Sequence, residues 1–96
     1  MIIRKTEIYE KWFNKLKDNN AKNRINKRLL RIKIDNNLGD VKSVGDKIFE
    51  IRIDYGPGYR IYYLQQEHFI ILLLIGGNKS TQDEDIKKAK EISKEV

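Results

Sequence analysis

The sequence has 96 residues, 35% of them charged, with a formal net charge of +6, one histidine and no cysteine. That length makes one domain, residues 1–96, with a single modest core. The missing thiols exclude disulfides, thiol catalysis and cysteine-ligated metal, and a lone histidine does not make a zinc site. The positive charge suits nucleic acid or an acidic protein, or serves solubility alone.

The opening Met1–Glu7 is too short and too soon charged for a signal peptide. The longest apolar run, Phe69–Ile75, has seven residues, far short of a membrane span. The expectation is a cytoplasmic protein with no membrane partner.

In chain order, Ile2–Lys5 is a short candidate strand. Thr6 can cap a helix, with Glu7 suiting its positive first turn. Ile8, Trp12, Phe13 and Leu16 then make one apolar face of a helix ending near Asp18. Asn19-Asn20 breaks that helix and can cap a second one. There Ala21, Ile25, Leu29 and Ile32 form an apolar stripe, widened by Leu30 and Ile34. The other sides carry Lys22, Arg24, Lys27, Arg28, Arg31 and Lys33, with no acidic residue between Ala21 and Ile34. Like charges at helical spacing oppose the helix. Arg24, Lys27, Arg28 and Arg31 are therefore candidate nucleic-acid-binding residues, with phosphate as their first ligand and a plain solvated face as the alternative.

Asn36–Asp40 is turn-forming, and Val41–Asp46 is a short extended piece containing a turn. From Lys47 to Thr81 the pattern predicts three consecutive strands. Strand alternation puts Ile51, Ile53 and Tyr55 on one side and Glu50, Arg52 and Asp54 on the other. Pairing Tyr55 with Tyr59, Ile53 with Ile61 and Ile51 with Tyr63 keeps the apolar sets together. It sets Asp54 opposite Arg60 and Arg52 opposite Tyr62, although Pro57 fits the three-residue loop poorly. Gln65–His68 makes the next turn, and His68 is a solvated residue there. Phe69–Ile75 has no polar alternation, as in a strand buried on both faces. Gly76-Gly77 is expected to release the chain from the sheet. Thr81 with Glu84, or Ser80 with Asp83, has capping-box spacing. The last helix, to about Glu95, has a thin stripe of Ile86, Ala89 and Ile92, which suggests weak docking.

No Ser-His-Asp or Cys-His arrangement, phosphate-binding loop or metal cluster is present, so no cofactor is expected. What remains is a cationic sheet face with Arg52 and Arg60, joined by Lys79 at the corner. Guanidinium groups bind phosphate and stabilise a phosphoryl transition state. RNA supplies its own nucleophile, the 2′-hydroxyl. Glu50 or Asp54 could accept a proton, or simply neutralise the arginines. The face fits phosphate binding as well as cleavage.

Two stretches, EIRIDYGPGYRIYY (Glu50–Tyr63) and ILLLIGGNKSTQDEDIKKAK (Ile71–Lys90), resemble the addiction-module killer branch of the RelE/ParE toxin superfamily, near the HigB-like toxins. The preceding strand and two helices match that layout, so the resemblance covers nearly the whole chain. The strand parity predicts an α+β fold of order βααβββα, an antiparallel meander with helices packed on one face and the other face open, and the family layout agrees with it. The resemblance also implies the toxin of a type II toxin–antitoxin pair that cleaves mRNA on the ribosome, without metal, by 2′-hydroxyl attack. The partners implied are ribosome, mRNA and a small helix-turn-helix antitoxin encoded beside the toxin. By the same resemblance Arg60 matches the arginine of the G-Y-R motif. Arg52 takes the place of a basic residue on the preceding strand, Glu50 that of a lysine or carboxylate, and Lys79 lies near the basic residue after the last strand; these four are the candidate catalytic residues. Many members place a tyrosine or histidine soon afterwards, whereas this chain has neither after His68. Cleavage would then need another proton-transfer group, Asp83 or Asp85, or would be slow. Two alternatives stay open: a ParE-like, non-enzymatic inhibitor of DNA gyrase, and a degenerate toxin that only binds its antitoxin.

Overall fold

The computed structural model describes all 96 residues. β1 (Ile2–Lys5) leads into α1 (Glu7–Lys15) and α2 (Asn19–Asp35). Four strands follow, β2 (Val41–Gly45), β3 (Ile48–Ile53), β4 (Tyr59–Glu67) and β5 (Ile70–Asn78). A short 3-10 turn, Lys79–Thr81, then opens α3 (Gln82–Ser93). The five strands lie in the order β1-β5-β4-β3-β2. Only the β1–β5 pair is parallel. The α+β class is as expected, with β2 as an additional edge strand.

Thr6 caps α1 as its sequence suggests, accepting from the Tyr9 N–H at 3.0 Å and donating its own hydroxyl to the Leu74 carbonyl at 2.7 Å. The inward face of α1 is Tyr9, Trp12, Phe13 and Leu16, at i, i+3, i+4 and i+7; Ile8 points outward and is exposed. Capping of α2 falls to Asp18, which accepts from Asn20 and Ala21, rather than to the asparagine pair. Ala21, Ile25, Leu29 and Ile32 are buried as predicted. Leu30 and Ile34 do not widen that stripe, for they are 53% and 67% exposed.

Two apolar clusters sandwich the sheet. On one side Ile51, Ile53, Ile61, Tyr63, Ile71 and Leu73 pack against α1 and α2. On the other, Ile48, Tyr62, Leu72, Leu74 and Ile75 meet Ala89 and Ile92 of α3. The expected open face is therefore covered by α3. Its thin stripe suffices because Ala89 brings the helix close over an apolar sheet.

The alternation of faces along β3 and β4 is as predicted, but the register is displaced. Arg52 lies opposite Arg60, Glu50 opposite Tyr62, Ile51 opposite Ile61 and Ile53 opposite Tyr59. The cause is the connection, which runs from Asp54 to Gly58. Its tight turn is closed by Gly58 N–H donating to the Tyr55 carbonyl at 3.0 Å. Gly56 supplies a φ of 55° at the first central position, and proline fits the second in a turn of that hand. The displacement is two residues, so neither face changes.

Gly76-Gly77 does not release the chain; β5 continues through both. A Cβ on Gly76 would lie 2.3 Å from the Trp12 ring, and one on Gly77 would strike the Asp85 carboxylate. Each glycine admits one helix side chain, from opposite faces of the sheet.

Candidate active site

The displaced register sets two guanidinium side chains directly opposite one another on one sheet face. Like charges so placed oppose pairing unless they are neutralised. Glu50, on the same face of β3, neutralises them. Its side chain has no exposed surface, and Oε1 lies 3.3 Å from Arg52 Nε and 3.8 Å from Arg60 Nε. Oε2 accepts from the Tyr62 hydroxyl at 3.0 Å and from Gln82 Nε2 at 2.7 Å. One buried carboxylate thus joins β3, β4 and the first residue of α3.

The Tyr62 hydroxyl is pushed well above its ordinary pKa, by burial first and then by the neighbouring Glu50 charge and the hydrogen bond to it. It is a fixed donor to Glu50.

The two arginines are held by charge and not by hydrogen bonds. Neither Nε–H is aligned on the carboxylate, and neither guanidinium donates to any other protein group. Arg60 is mostly enclosed, 11% exposed, while Arg52 is 36% exposed. Oriented guanidinium ions with uncommitted N–H groups make a site for an oxyanion.

Asp85 approaches from α3. Its carboxylate accepts from the Thr81 hydroxyl at 2.6 Å and sits in the space left by Gly77, the register partner of Arg60. Burial raises the Asp85 pKa above the usual aspartate value, opposed by the Thr81 hydrogen bond. Asp83 is exposed. Asn78, not Thr81 or Ser80, caps the turn before α3, accepting from the Ser80 N–H at 2.9 Å. Lys79 is exposed at that corner, its N–H donating to the Gly58 carbonyl at 2.8 Å. It makes no ion pair with the Glu50 group. Asp54 is exposed beyond the end of β3 and makes no ion pair with Arg60, whose carboxylate partner is Glu50. His68 is exposed in the β4–β5 turn.

The cations of α2 divide into two kinds. Arg28 spends its donors on carbonyls: Arg52 at 2.7 Å, Leu38 at 2.6 Å and Asp40 at 3.2 Å. Burial lowers its pKa, and its position is that of a clamp between α2, the 36–40 loop and β3. Arg24 lies over the Tyr55 ring at 4.4 Å, while Lys27 and Arg31 are exposed. Together with the Arg52–Asp54 edge these residues line an open cleft of about 390 Å³.

Sequence reasoning brought Glu50, Arg52 and Arg60 to one face, and the structure joins them. It missed Gln82 and the part played by Tyr62. Gln82 lies within the KSTQ motif, and that placement was its only signal.

The sequence model of the family described as "Phage derived protein Gp49-like" matches residues 11–94. An uncharacterized protein of Haemophilus influenzae is 49% identical over 94 residues, covering 98% of this chain and 94% of its own. Among solved structures, an arginine-to-alanine double mutant of the E. coli toxin RelE in the free state superposes with a TM-score of 0.68 at 19% identity, covering 99% of this chain and 96% of that one. A chain of the intact E. coli RelBE toxin–antitoxin complex gives 0.65 at 19% identity, over 80% of this chain and 94% of that one. The isolated RelE toxin gives 0.64 at 18% identity, over 91% and 96%. At such identities the likeness is one of fold.

Proposed function

The chain belongs to the Gp49-like family of phage-derived proteins, and on that footing we propose that it is the toxin of a toxin–antitoxin pair, a ribosome-dependent endoribonuclease acting on mRNA in the cytoplasm. One observation carries the reading. Two arginines on adjacent strands of a RelE-like fold are oriented by a fully buried carboxylate while their N–H groups stay uncommitted. A structural arginine in this same protein, Arg28, is saturated with carbonyls.

In this reading Arg60 and Arg52 grip the scissile phosphate, and Lys79 adds charge from the corner. The RNA 2′-oxygen attacks the adjacent phosphorus as its proton passes to a base. The O2′–P bond forms, the P–O5′ bond breaks, and the 5′-oxygen leaves with a proton. The products are a 2′,3′-cyclic phosphate and a 5′-hydroxyl. No metal is needed, because the guanidinium pair meets the charge that grows on the phosphoryl oxygens. Glu50, wholly buried, acts as a positioning residue and does not reach the RNA. Of the two acidic candidates for proton transfer, Asp85 is the better supported, lying beside Gly77 on the Arg60 face with a raised pKa. The α2 cations Arg24, Lys27 and Arg31 hold ribosomal or messenger phosphates, and the antitoxin is the protein partner.

The test is cleavage of mRNA on programmed ribosomes, with folding checked by thermal melting. Arg60→Ala should lower the rate about a hundredfold or more, and Arg60→Lys should restore only part, since an ammonium cannot reproduce the planar fork. A folded Arg60→Ala protein cleaving at the normal rate removes Arg60 from the site. Wild type that cleaves nothing yet traps gyrase on DNA would replace this reading with the ParE-like one.

A further inference from the structure

α2 carries a surface that neither the core nor the arginine site uses. Leu30 and Ile34 stand one helical turn apart on its outward side, 53% and 67% exposed. Beneath them α2 is already fully docked through Ala21, Ile25, Leu29 and Ile32, so the two are not a core face awaiting a small adjustment. The ridge is bordered by cations on both flanks. On one side a shallow cleft of about 200 Å³ is formed by Lys27, Leu30, Arg31, Ile34 and Asp35. On the other, a groove of about 320 Å³ between α2 and β1 is lined by Lys5, Lys33 and Leu30 among others. Asp35 is the only acid in either.

An apolar stripe between two rows of cations has a definite complement, an apolar stripe between two rows of acids. A helix supplies one readily, with apolar residues at i and i+3 or i+4 and glutamates or aspartates beside them. RNA would leave Leu30 and Ile34 without a partner. A second copy of this chain would bring lysines against lysines.

We propose that the Leu30–Ile34 ridge of α2 docks an acidic amphipathic helix of the antitoxin, and that this helix competes with RNA for Lys27 and Arg31. The partner's identity rests on the toxin reading; the ridge and its chemistry do not. The competition follows from shared residues, because Lys27 and Arg31 line both the ridge cleft and the larger cleft beside Arg52. A carboxylate row on the ridge neutralises the same ammonium and guanidinium groups that a phosphate chain would use. The antitoxin can then block nucleic-acid binding without touching Arg60.

The experiment uses the full chain, the protein encoded beside it, and a short single-stranded RNA. Leu30→Gln/Ile34→Gln removes the apolar stripe without changing charge, and glutamine suits an exposed helix. Affinity for the neighbouring protein should fall about tenfold or more, with RNA affinity and melting temperature unchanged. Lys27→Gln/Arg31→Gln should weaken both ligands, and saturating neighbour protein should displace the RNA. Binding of the neighbour that survives Leu30→Gln/Ile34→Gln overturns the ridge and leaves the toxin reading standing. A neighbour that does not bind wild type overturns both. RNA affinity falling as far as the neighbour's would make the ridge a nucleic-acid surface, and a dimer abolished by the same pair would make it a contact between copies; either result overturns the proposal.

Discussion

Removing the Glu50 carboxylate tests whether one buried charge organises the site. Glu50→Ala strips Arg60 of its counter-charge and leaves the Tyr62 hydroxyl and the Gln82 amide without their acceptor. Arg52 can turn its more exposed end to water; Arg60, 11% exposed, has far less room to do so. Breaking a buried pair from one side costs about 3–5 kcal/mol, mostly the penalty of the charge left behind. In a domain of this size about 1 kcal/mol moves the melting temperature by about 4–8 °C. The low ends of both ranges give a fall of about 12 °C, and the high ends would consume much of a marginal domain's stability. Adding Arg60→Met removes the orphaned charge, so Glu50→Ala/Arg60→Met should recover about half of the loss. The assay is thermal melting with urea unfolding as a second measure. Glu50→Ala melting within about 4 °C of wild type, with no gain from Arg60→Met, would refute a desolvated Glu50–Arg60 pair.

Gly76→Ala should destabilise strongly, by about 2 kcal/mol or more on an overpacking scale, because its Cβ would enter the Trp12 ring; near-UV circular dichroism should report the displaced indole. Gly77→Ala should instead push Asp85 off the sheet, and a high-resolution structure with Asp85 unmoved would contradict that. Arg28→Lys should lower stability in urea, because one ammonium cannot reach the Arg52, Leu38 and Asp40 carbonyls together, while Lys27→Gln should leave stability unchanged. The raised Asp85 pKa means that the folded state holds this proton more tightly than the unfolded state does. The cost of ionising Asp85 therefore grows as pH rises through the interval above the ordinary aspartate value, and is absent at lower pH. Asp85→Asn should be stabilised relative to wild type above that interval and lose the advantage below it; a gain independent of pH would assign the effect to something other than ionisation.

What was legible in the sequence was what local periodicity controls. The Thr6 cap, the buried run Ala21, Ile25, Leu29 and Ile32, and the two faces of β3 and β4 all follow from spacings of 3.6 or 2. Register was not legible in the same way, because parity admits any even displacement and only the Tyr55–Gly58 turn selects one. That choice decided the site: it exchanged a routine Asp54–Arg60 pair for two opposed arginines around Glu50. The side on which α3 docks was equally hidden, since a stripe of Ile86, Ala89 and Ile92 fits either face. Gly76-Gly77 misled for a related reason. Glycine in a strand marks a turn or a close approach, and the atoms that approach, from Trp12 and Asp85, are distant in sequence. Leu30 and Ile34 fit the helical period of a core stripe, but burial requires something opposite: Leu30 only borders the groove between α2 and β1, and Ile34 is open to solvent.

The α3 contact has a consequence for how the site is built. Gln82, the first residue of α3, binds the same Glu50 oxygen that holds Tyr62, and Asp85 rests on Gly77 one turn later. The arginine pair is thus completed by the helix that covers its sheet face, and an undocked α3 would remove a hydrogen bond from a buried carboxylate that has few others. Arg52 performs the corresponding function toward α2. Its backbone carbonyl accepts from Arg28 at 2.7 Å while its side chain lies against Glu50 at ion-pair distance. A single residue therefore belongs to the wall of the α2 cleft and to the arginine pair around Glu50. The cleft that Arg24, Lys27 and Arg31 line reaches Arg52, with Asp40 and Asp54 also on its wall, so cations outnumber carboxylates along it. In the endoribonuclease reading this excess of cations lets the cleft supply affinity while Arg60, the more enclosed arginine, acts on the one phosphate that reaches it.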